Sequence, residues 1–182
     1  MPLTRRTLAI ASAGILLLTA APAFAQDVAT PPHVRPERAL RGMVDDAAHR
    51  SPEIRGLIDR LEALDVTVYI RTRVFDQMNL EGRVALLSAY TGRRYLVVEL
   101  ACGRTGVALM STLAHELYHA VEIAREPSVV DARSLAALYG RIGVQTGDTI
   151  GRQTFETYAA ADAGQRARRE LLSNAARSGH GS

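Results

Sequence analysis

The chain has 182 residues, of which 47% are hydrophobic and 23% are charged, and its formal net charge is +3. This length supports one ordinary domain with its own core. The charge gives no reason to expect a nucleic acid partner, because outside a predicted export signal 20 arginines face 19 acidic residues. The single cysteine, Cys102, excludes an intramolecular disulfide, and we expect its side chain to be buried.

The N-terminus has the pattern of an export signal. Arg5-Arg6 precedes an apolar stretch from Leu8 to Ala21, and Ala23-Phe24-Ala25 offers the small residues that signal peptidase recognises. We therefore predict a signal peptide over residues 1–25, cleavage before Gln26, and a periplasmic or secreted mature protein. The paired arginines are compatible with both Tat and Sec export. The apolar stretch is too short for a lasting membrane span, which needs about 20 residues.

A linker and two helices are predicted next. Three prolines predict an extended linker over residues 26–36, followed by a single domain over residues 37–175. Glu37 to Arg50 is predicted to be a helix, because its apolar side chains recur on one face. Ser51-Pro52-Glu53 then supplies an N-cap, a proline at the first helical position and an early acid, which together predict the start of a second helix.

The hydrophobic period changes at Asp65, where a half-buried strand is predicted. Apolar and polar residues alternate from Val66 to Arg71. Val84 to Tyr90 and Arg94 to Leu100 are predicted as two more strands, joined by a turn at Thr91-Gly92-Arg93. We expect a small, mostly antiparallel sheet of about three strands packed on several helices. The predicted fold class is therefore α+β.

The helix predicted from Thr105 to Ala124 carries the run His115-Glu116-Leu117-Tyr118-His119. Helical residues four apart share one face, so the two imidazoles can bind one ion while Glu116 lies beside them. Imidazole nitrogen binds Zn²⁺, and a catalytic site uses three protein ligands so that a water keeps the fourth position. A neighbouring carboxylate can take a proton from that water and pass it to a leaving amine. The run therefore predicts a Zn²⁺ cofactor, with Glu116 as the general base.

The ten residues from Thr112 to Val121 resemble the extended signature of the zincin metallopeptidases. Thr stands first, uncharged residues surround the histidines, and a hydrophobic residue follows the second His by two positions. This resemblance implies that His115 and His119 are zinc ligands, that Glu116 is the general base, and that peptides or proteins are the substrates. In zincins the strand nearest the cleft binds an extended peptide by backbone pairing. Arg94 to Glu99 is the candidate for that strand.

The third zinc ligand must come from another element, because a residue further along the same helix cannot converge on the ion. This argues against Glu122, for which we expect an ion pair on its own helix or a contact with His119. Two downstream carboxylates remain as candidates. Glu156 is predicted to lie in a last long helix from Thr149 to Ser173, and it is preferred because gluzincins use a Glu on a later helix. Asp131 is the alternative.

The resemblance has limits that narrow the family. In thermolysin-like gluzincins an Asp four residues after the ligand Glu braces a metal-bound His, whereas here that position is Ala160. The third His of metzincins is also missing. The sequence thus resembles a minimal, gluzincin-like zincin.

Asp131 to Ile142 is predicted to be a helix ended by Gly143, and residues 176–182 are predicted to be a flexible tail. A peptide hydrolase also needs a donor to stabilise the oxyanion. The tyrosines near the motif are Tyr118, Tyr139 and Tyr158, of which Tyr158 is the candidate because it follows Glu156 closely.

Two other functions stay open at this point. The same ligands would suit a non-catalytic, zinc-stabilised binding module, and an exported enzyme of this chemistry could also be a cell-wall amidase or hydrolase. The sequence sets no oligomeric state.

Overall fold

A computed structural model of the chain describes residues 30–77, 79–149 and 152–178. The predicted signal peptide and the start of the predicted linker lie outside these ranges. From Pro31 onward the chain forms one compact unit. None of the helices in the described ranges is long and apolar enough to cross a membrane.

The structure is mixed α/β, with five α-helices and six strands in its described part. In chain order the elements are β1 (Val34–Pro36), a 3-10 turn (Arg38–Leu40), α1 (Arg41–Arg50), α2 (Pro52–Glu62), β2 (Val66–Arg73), β3 (Gly82–Tyr90), β4 (Arg93–Ala101), α3 (Gly106–Ala124), α4 (Ala132–Ile142), β5 (Val144–Thr149), β6 (Arg152–Glu156) and α5 (Tyr158–Ser178).

The main sheet has four strands in the order β1-β2-β4-β3. β1 pairs with β2 and β2 pairs with β4 in parallel, and only the β3 to β4 pair is antiparallel. The prediction of a mostly antiparallel, three-stranded sheet is therefore wrong. The predicted strands themselves are present, but β4 lies between β2 and β3, so β2 does not pair with β3, the next strand in the chain. β5 and β6 form a separate two-stranded antiparallel sheet.

The fourth strand of the main sheet comes from the predicted linker. Val34 is 6% exposed and lies opposite Val68 in the parallel ladder. The Glu37 amide donates a hydrogen bond to the Ile70 carbonyl at 2.8 Å, which extends the pairing. Residues 34–36 therefore belong to the fold. A three-residue strand that contains a proline shows no alternation, so its pattern could not reveal it.

The helix starts follow the expected capping chemistry, with one shift. Ser51 Oγ accepts a hydrogen bond from the Ile54 amide, so the predicted N-cap of α2 is confirmed. The first predicted helix begins later than Glu37, since a 3-10 turn precedes α1. The predicted hairpin turn is also confirmed, because Thr91 and Gly92 both have positive φ, as a tight two-residue turn requires.

One face of the sheet packs against the helices and forms the core with α3. Its fully buried side chains are Val66, Val68, Ile70, Leu96, Val98 and Leu100. Leu113 and Leu117 of α3 are equally buried, and each such side chain contributes about 1.5–3 kcal/mol by leaving water. Arg94 of β4 adds a polar link, because its guanidinium donates to the carbonyls of Ile123 and Ala124 at the end of α3. α3, which contains His115 and His119, is therefore held in place at its core face and at its C-terminus.

The C-terminal region departs most from prediction. The helix predicted from Thr149 to Ser173 is wrong at its start, because β5 and β6 form a hairpin and α5 begins only at Tyr158. Thr157 sets this boundary as the N-cap, with its Oγ1 accepting from the Ala160 amide at 3.1 Å. The predicted tail is wrong for residues 176–178, which continue α5, and residues 179–182 lie outside the described ranges. Cys102 is exposed and not buried, because it follows β4 in a turn.

Candidate metal centre

The three residues predicted to bind zinc lie together. His115 Nε2 is 3.2 Å from Glu156 Oε2, and His119 Nε2 is 3.5 Å from Glu156 Oε1. The candidate ligand atoms all lie within 4.8 Å of one another. Both imidazoles thus turn the same nitrogen toward one carboxylate that comes from a different element.

These distances fit a tetrahedral ion. Ligands about 2.0–2.1 Å from a four-coordinate zinc are separated from each other by about 3.3 Å. His115 Nε2 lies 3.2 Å from one Glu156 oxygen, and His119 Nε2 lies 3.5 Å from the other. Two neutral nitrogen donors and one carboxylate oxygen also form a set that zinc accepts in catalytic sites. His115, His119 and Glu156 therefore suit a zinc ion in both chemistry and spacing.

Glu156 reaches the histidines from the end of β6, not from a helix. The Thr157 amide donates to Glu156 Oε1 at 2.8 Å, which orients the carboxylate just before α5 begins. The structure brings Glu156 beside the two histidines, but on a strand and not on the predicted helix. The end of β6, directly before the N-cap of α5, directs the Glu156 side chain toward α3 as the predicted helix was expected to do.

Glu122 braces the second histidine. Its Oε2 lies 2.8 Å from His119 Nδ1, so the predicted contact between them is confirmed. The Thr157 hydroxyl donates to Glu122 Oε1 at 2.8 Å, which holds the carboxylate in turn. When Nδ1 carries the proton that Glu122 accepts, the Nε2 lone pair faces Glu156 and is free to bind a cation.

Glu116 is buried beside the three candidate ligands, with 5% of its surface exposed. Burial raises the pKa of Glu116 to about 7; His119 and His115 oppose the shift, and Glu156 adds to it. Gly82, the first residue of β3, makes room for this carboxylate. A β-carbon on Gly82 would lie 2.8 Å from Glu116 Oε1 and 2.8 Å from Thr112 Cγ2.

The pKa values of His119 and Glu156 shift in opposite directions. Burial alone would lower the pKa of His119, but hydrogen bonds with Glu122 and Glu156 raise it to about 9. Burial would raise the pKa of Glu156, but hydrogen bonds with His115 and His119 lower it to about 2. The cluster thus stabilises positive charge between these side chains, a condition that a divalent cation satisfies.

The site opens into a cleft of about 410 Å³. Its walls are the segment 79–82, one face of α3 at Ser111 and Thr112, and the first half of α5. Gly164 lets α5 approach α3, since a β-carbon there would lie 3.2 Å from the Ser111 carbonyl and 3.3 Å from His115 Cβ. Two small residues, Gly82 and Gly164, therefore set the width of the cleft next to the candidate ligands.

Two predicted site residues lie elsewhere. Asp131 is the N-cap of α4, where its carboxylate accepts from the Ser134 amide at 2.8 Å, and it does not join the histidines. Tyr158 is 85% exposed and is not part of the cleft wall.

The other two tyrosines have structural contacts. The ring of Tyr139 packs edge-on against His119 at 5.5 Å, and its hydroxyl donates to the His119 carbonyl at 3.4 Å. Burial raises the pKa of Tyr139 well above its usual range, with Glu122 adding to the effect. Tyr118 lies beneath the Arg60 guanidinium. Neither belongs to the cleft wall.

The strand predicted to border the cleft is also corrected. Arg94 to Glu99 lies in β4, whose two edges are paired with β2 and β3, so it has no edge to offer a peptide. β3 is the edge strand, and Gly82 at its start lines the cleft. Strand order depends on tertiary packing, which the local pattern does not encode.

Sequence reasoning missed several residues that line the cleft. Glu81 accepts from the Thr112 hydroxyl and pairs with Arg104 at 2.5 Å, which ties the segment before β3 to α3. Gly164 and Arg168 lie four apart on α5, and both line the cleft. The only available signal was the spacing of these two residues from Glu156. That spacing could not be interpreted, because the sequence predicted that the helix begins before Glu156.

Comparisons with known proteins add no relative: no protein-family model, no curated protein and no solved structure matches the chain. The resemblance to zincins therefore rests on residues 112–121.

Proposed function

We propose that this protein is a zinc-dependent hydrolase of peptide bonds. The observation that carries the proposal is the convergence of His115 Nε2, His119 Nε2 and the Glu156 carboxylate beside buried Glu116, at the wall of an open cleft. Structural zinc sites close around four protein ligands, whereas catalytic sites use three. In the described part of the chain this cluster has three members, which favours catalysis over a purely structural site.

Each side chain has a distinct role in the proposed reaction. His115 and His119 would hold zinc through Nε2, and Glu156 would hold it through a carboxylate oxygen. A zinc ion held there would acidify a water molecule and polarise the substrate carbonyl. Glu116 accepts the proton of the attacking water and returns it to the leaving amine. Glu122 keeps His119 in its binding orientation through the Nδ1 contact.

The substrate is proposed to be an extended peptide that pairs with the outer edge of β3. In the described ranges β3 pairs only with β4, so its other edge can hydrogen-bond to a further strand. The ladder with β4 is irregular between Leu86 and Ser88, which limits the regular edge to Gly82–Leu86. Such backbone pairing supplies affinity with little dependence on the substrate sequence.

We place this activity in the periplasm or outside the cell. The support is the sequence of residues 1–25, with its paired arginines, apolar stretch and Ala23-Phe24-Ala25. Expression of the full chain in a bacterium, followed by fractionation and N-terminal sequencing, tests this. We expect exported protein beginning at Gln26, and uncleaved protein in the cytoplasm would contradict it.

Metal analysis and a peptide-library digest test the catalytic proposal. The purified mature chain is expected to hold about one zinc ion per molecule, and the His119→Ala variant is expected to lose it. Glu116→Gln is expected to keep the metal while cleavage, read by mass spectrometry, falls by about 10²- to 10⁴-fold. Glu126→Gln is the matched control, because Glu126 pairs with Arg141 away from the cleft and both readouts are expected to match the wild type.

Other outcomes would favour the competing functions. A wild-type protein that melts at a lower temperature without zinc but cleaves no peptide would be a zinc-stabilised binding module. Cleavage of peptidoglycan fragments but not of peptides would indicate a cell-wall amidase or hydrolase. A purified chain that binds no zinc at all would refute the proposal.

A further inference from the structure

One face of α5 runs from the candidate metal centre along the cleft. Ala161, Gly164, Gln165 and Arg168 all line the cleft, at the three- and four-residue spacing of a helix face. A β-carbon on Gly164 would lie 3.3 Å from His115 Cβ. Arg168 lies one turn further, about 6 Å along the helix axis. The guanidinium is therefore carried by the same wall that contacts a candidate zinc ligand.

Two of the three acidic residues that line the cleft, Glu81 and Glu156, are already engaged by other side chains. Glu81 is paired with Arg104 and accepts from Thr112, and Glu156 lies against His115 and His119. Within the described part of the chain Arg168 has neither an ion pair nor a hydrogen bond.

The nearby Arg166 has the opposite situation. It is bound to Glu53 and also contacts Asp162, so both partners are supplied by the fold itself. Arg168 thus differs, because its exposed guanidinium lies at a cleft wall and pairs with no acid among the described residues. A guanidinium of this kind matches the two oxygens of a carboxylate.

We infer that Arg168, with Gln165 beside it, binds a carboxylate of the substrate and so favours peptides that carry a carboxylate at that position. This inference rests on the proposed hydrolase function. Because Arg168 lies only about 6 Å along α5 from Gly164, which lies beside His115, a short stretch of peptide spans the distance from the metal centre to Arg168. The carboxylate is either the C-terminal carboxylate of a short peptide or an acidic side chain near the cleaved bond.

Matched peptides separate these two sources. A substrate with a free C-terminus is compared with its amidated form, and an internal Glu is compared with Gln in a second pair. For the zinc-loaded wild type we expect kcat/KM to favour the carboxylate-bearing member of one pair by about 10- to 100-fold. The pair that shows the preference identifies which carboxylate is bound.

Arg168→Ala is expected to remove this preference through KM, with kcat and the neutral substrates little affected. Arg169→Ala is the control, because Arg169 is exposed like Arg168 and lies on the same helix but does not line the cleft. A substrate preference that is equal in the wild type and both variants, or a wild type with no preference in either pair, would overturn the inference and leave the hydrolase function standing.

Binding to an inactive variant separates the two proposals. Zinc-loaded Glu116→Gln and Glu116→Gln/Arg168→Ala are titrated with the same peptides by calorimetry. Weaker binding of the carboxylate-bearing peptide to the double variant supports the inference, even if the wild type cleaves no peptide and the hydrolase proposal fails. Equal binding to the two variants would contradict the role of Arg168.

Discussion

Gly82 lies so close to Glu116 that a β-carbon added to the glycine would be 2.8 Å from the Oε1 atom of the acid. The start of the edge strand and the candidate general base therefore share one small space. Any side chain at position 82 must displace either the carboxylate or the strand. The absence of a side chain at Gly82 therefore makes room for the Glu116 carboxylate.

Gly82→Ala is expected to reduce peptide cleavage by at least about 10-fold, because a shift of the base by even 1 Å is costly for the reaction. Zinc content is expected to remain unchanged, since the atoms nearest to the added methyl group belong to Glu116 and Thr112 and not to the candidate ligands. Gly140→Ala is the control, because a β-carbon there meets no atom within 4 Å and alanine favours the helix. Cleavage rates and metal analysis of both variants check this, and wild-type cleavage by Gly82→Ala would refute it.

Removal of Glu122 is expected to weaken zinc binding without removing a ligand. The carboxylate is the acceptor for His119 Nδ1, and loss of such a partner typically lowers metal affinity by about 10- to 100-fold. Competition of Glu122→Ala with a zinc chelator measures the effect. Glu126→Ala, four residues away and paired with Arg141, should titrate as the wild type does. Equal affinities in the two variants would mean that Glu122 has no role in orienting His119.

Replacement of Arg94 is expected to destabilise the fold. Its guanidinium donates to the Ile123, Ala124 and Glu126 carbonyls, which otherwise stay unpaired at the buried end of α3. We expect Arg94→Ala to lower the free energy of unfolding by about 2–4 kcal/mol, measured by urea denaturation. The neighbouring Arg93, 3.9 Å from exposed Asp65, provides a control variant whose loss should cost less than about 1 kcal/mol.

Glu99 is expected to make stability depend on pH in the acid range. Its carboxylate is fully buried; burial alone would raise its pKa, but hydrogen bonds from Arg71, Arg83 and Arg73 lower it below the usual 4.5. A depressed folded-state pKa gives stabilisation that is complete above the unfolded value and disappears as the pH falls through the folded value.

Glu99→Gln should therefore be less stable than the wild type by roughly 3 kcal/mol at pH 7, because three guanidinium groups lose their shared acid. The difference should shrink as the pH falls below about 4.5. Urea denaturation from pH 7 to pH 3 measures it. Asp46→Asn, which removes an exposed pair with Arg50, should show little effect at any of these pH values. A constant difference for Glu99→Gln would exclude this origin of its stabilisation.

The position of α3 could be predicted well from the sequence, because the spacing of its apolar residues and the spacing of its histidines both indicate a helix. Apolar residues recur at helical spacing over α3, and the histidines lie four apart on that same helix. The N-cap at Ser51 and the turn at Thr91-Gly92 were equally readable, since each depends on the chemistry of a few adjacent residues. Local signals of this kind do not need the rest of the fold.

The order of the strands and the element that contains Glu156 could not be predicted, because both depend on residues far apart in the sequence. β2 pairs in parallel with β4 although β3 separates them in the chain, so this register exists only in the folded protein. The alanine-rich start of α5 extends a helical pattern backward across Thr157, although that residue caps the helix and Glu156 belongs to a strand. A helix pattern alone does not show where the helix stops.

Among the described strands β3 leaves one edge unpaired, and this edge has a consequence beyond the proposed reaction. A strand whose amide and carbonyl groups await a partner can join a second copy of itself as readily as a peptide, and proteins commonly protect such edges with charges and irregular pairing. In β3, the charge of Arg83 and the irregular pairing after Leu86 are the features that oppose pairing with a second copy. Concentrated samples of this protein should therefore remain monodisperse for longer when a tight-binding peptide occupies that edge.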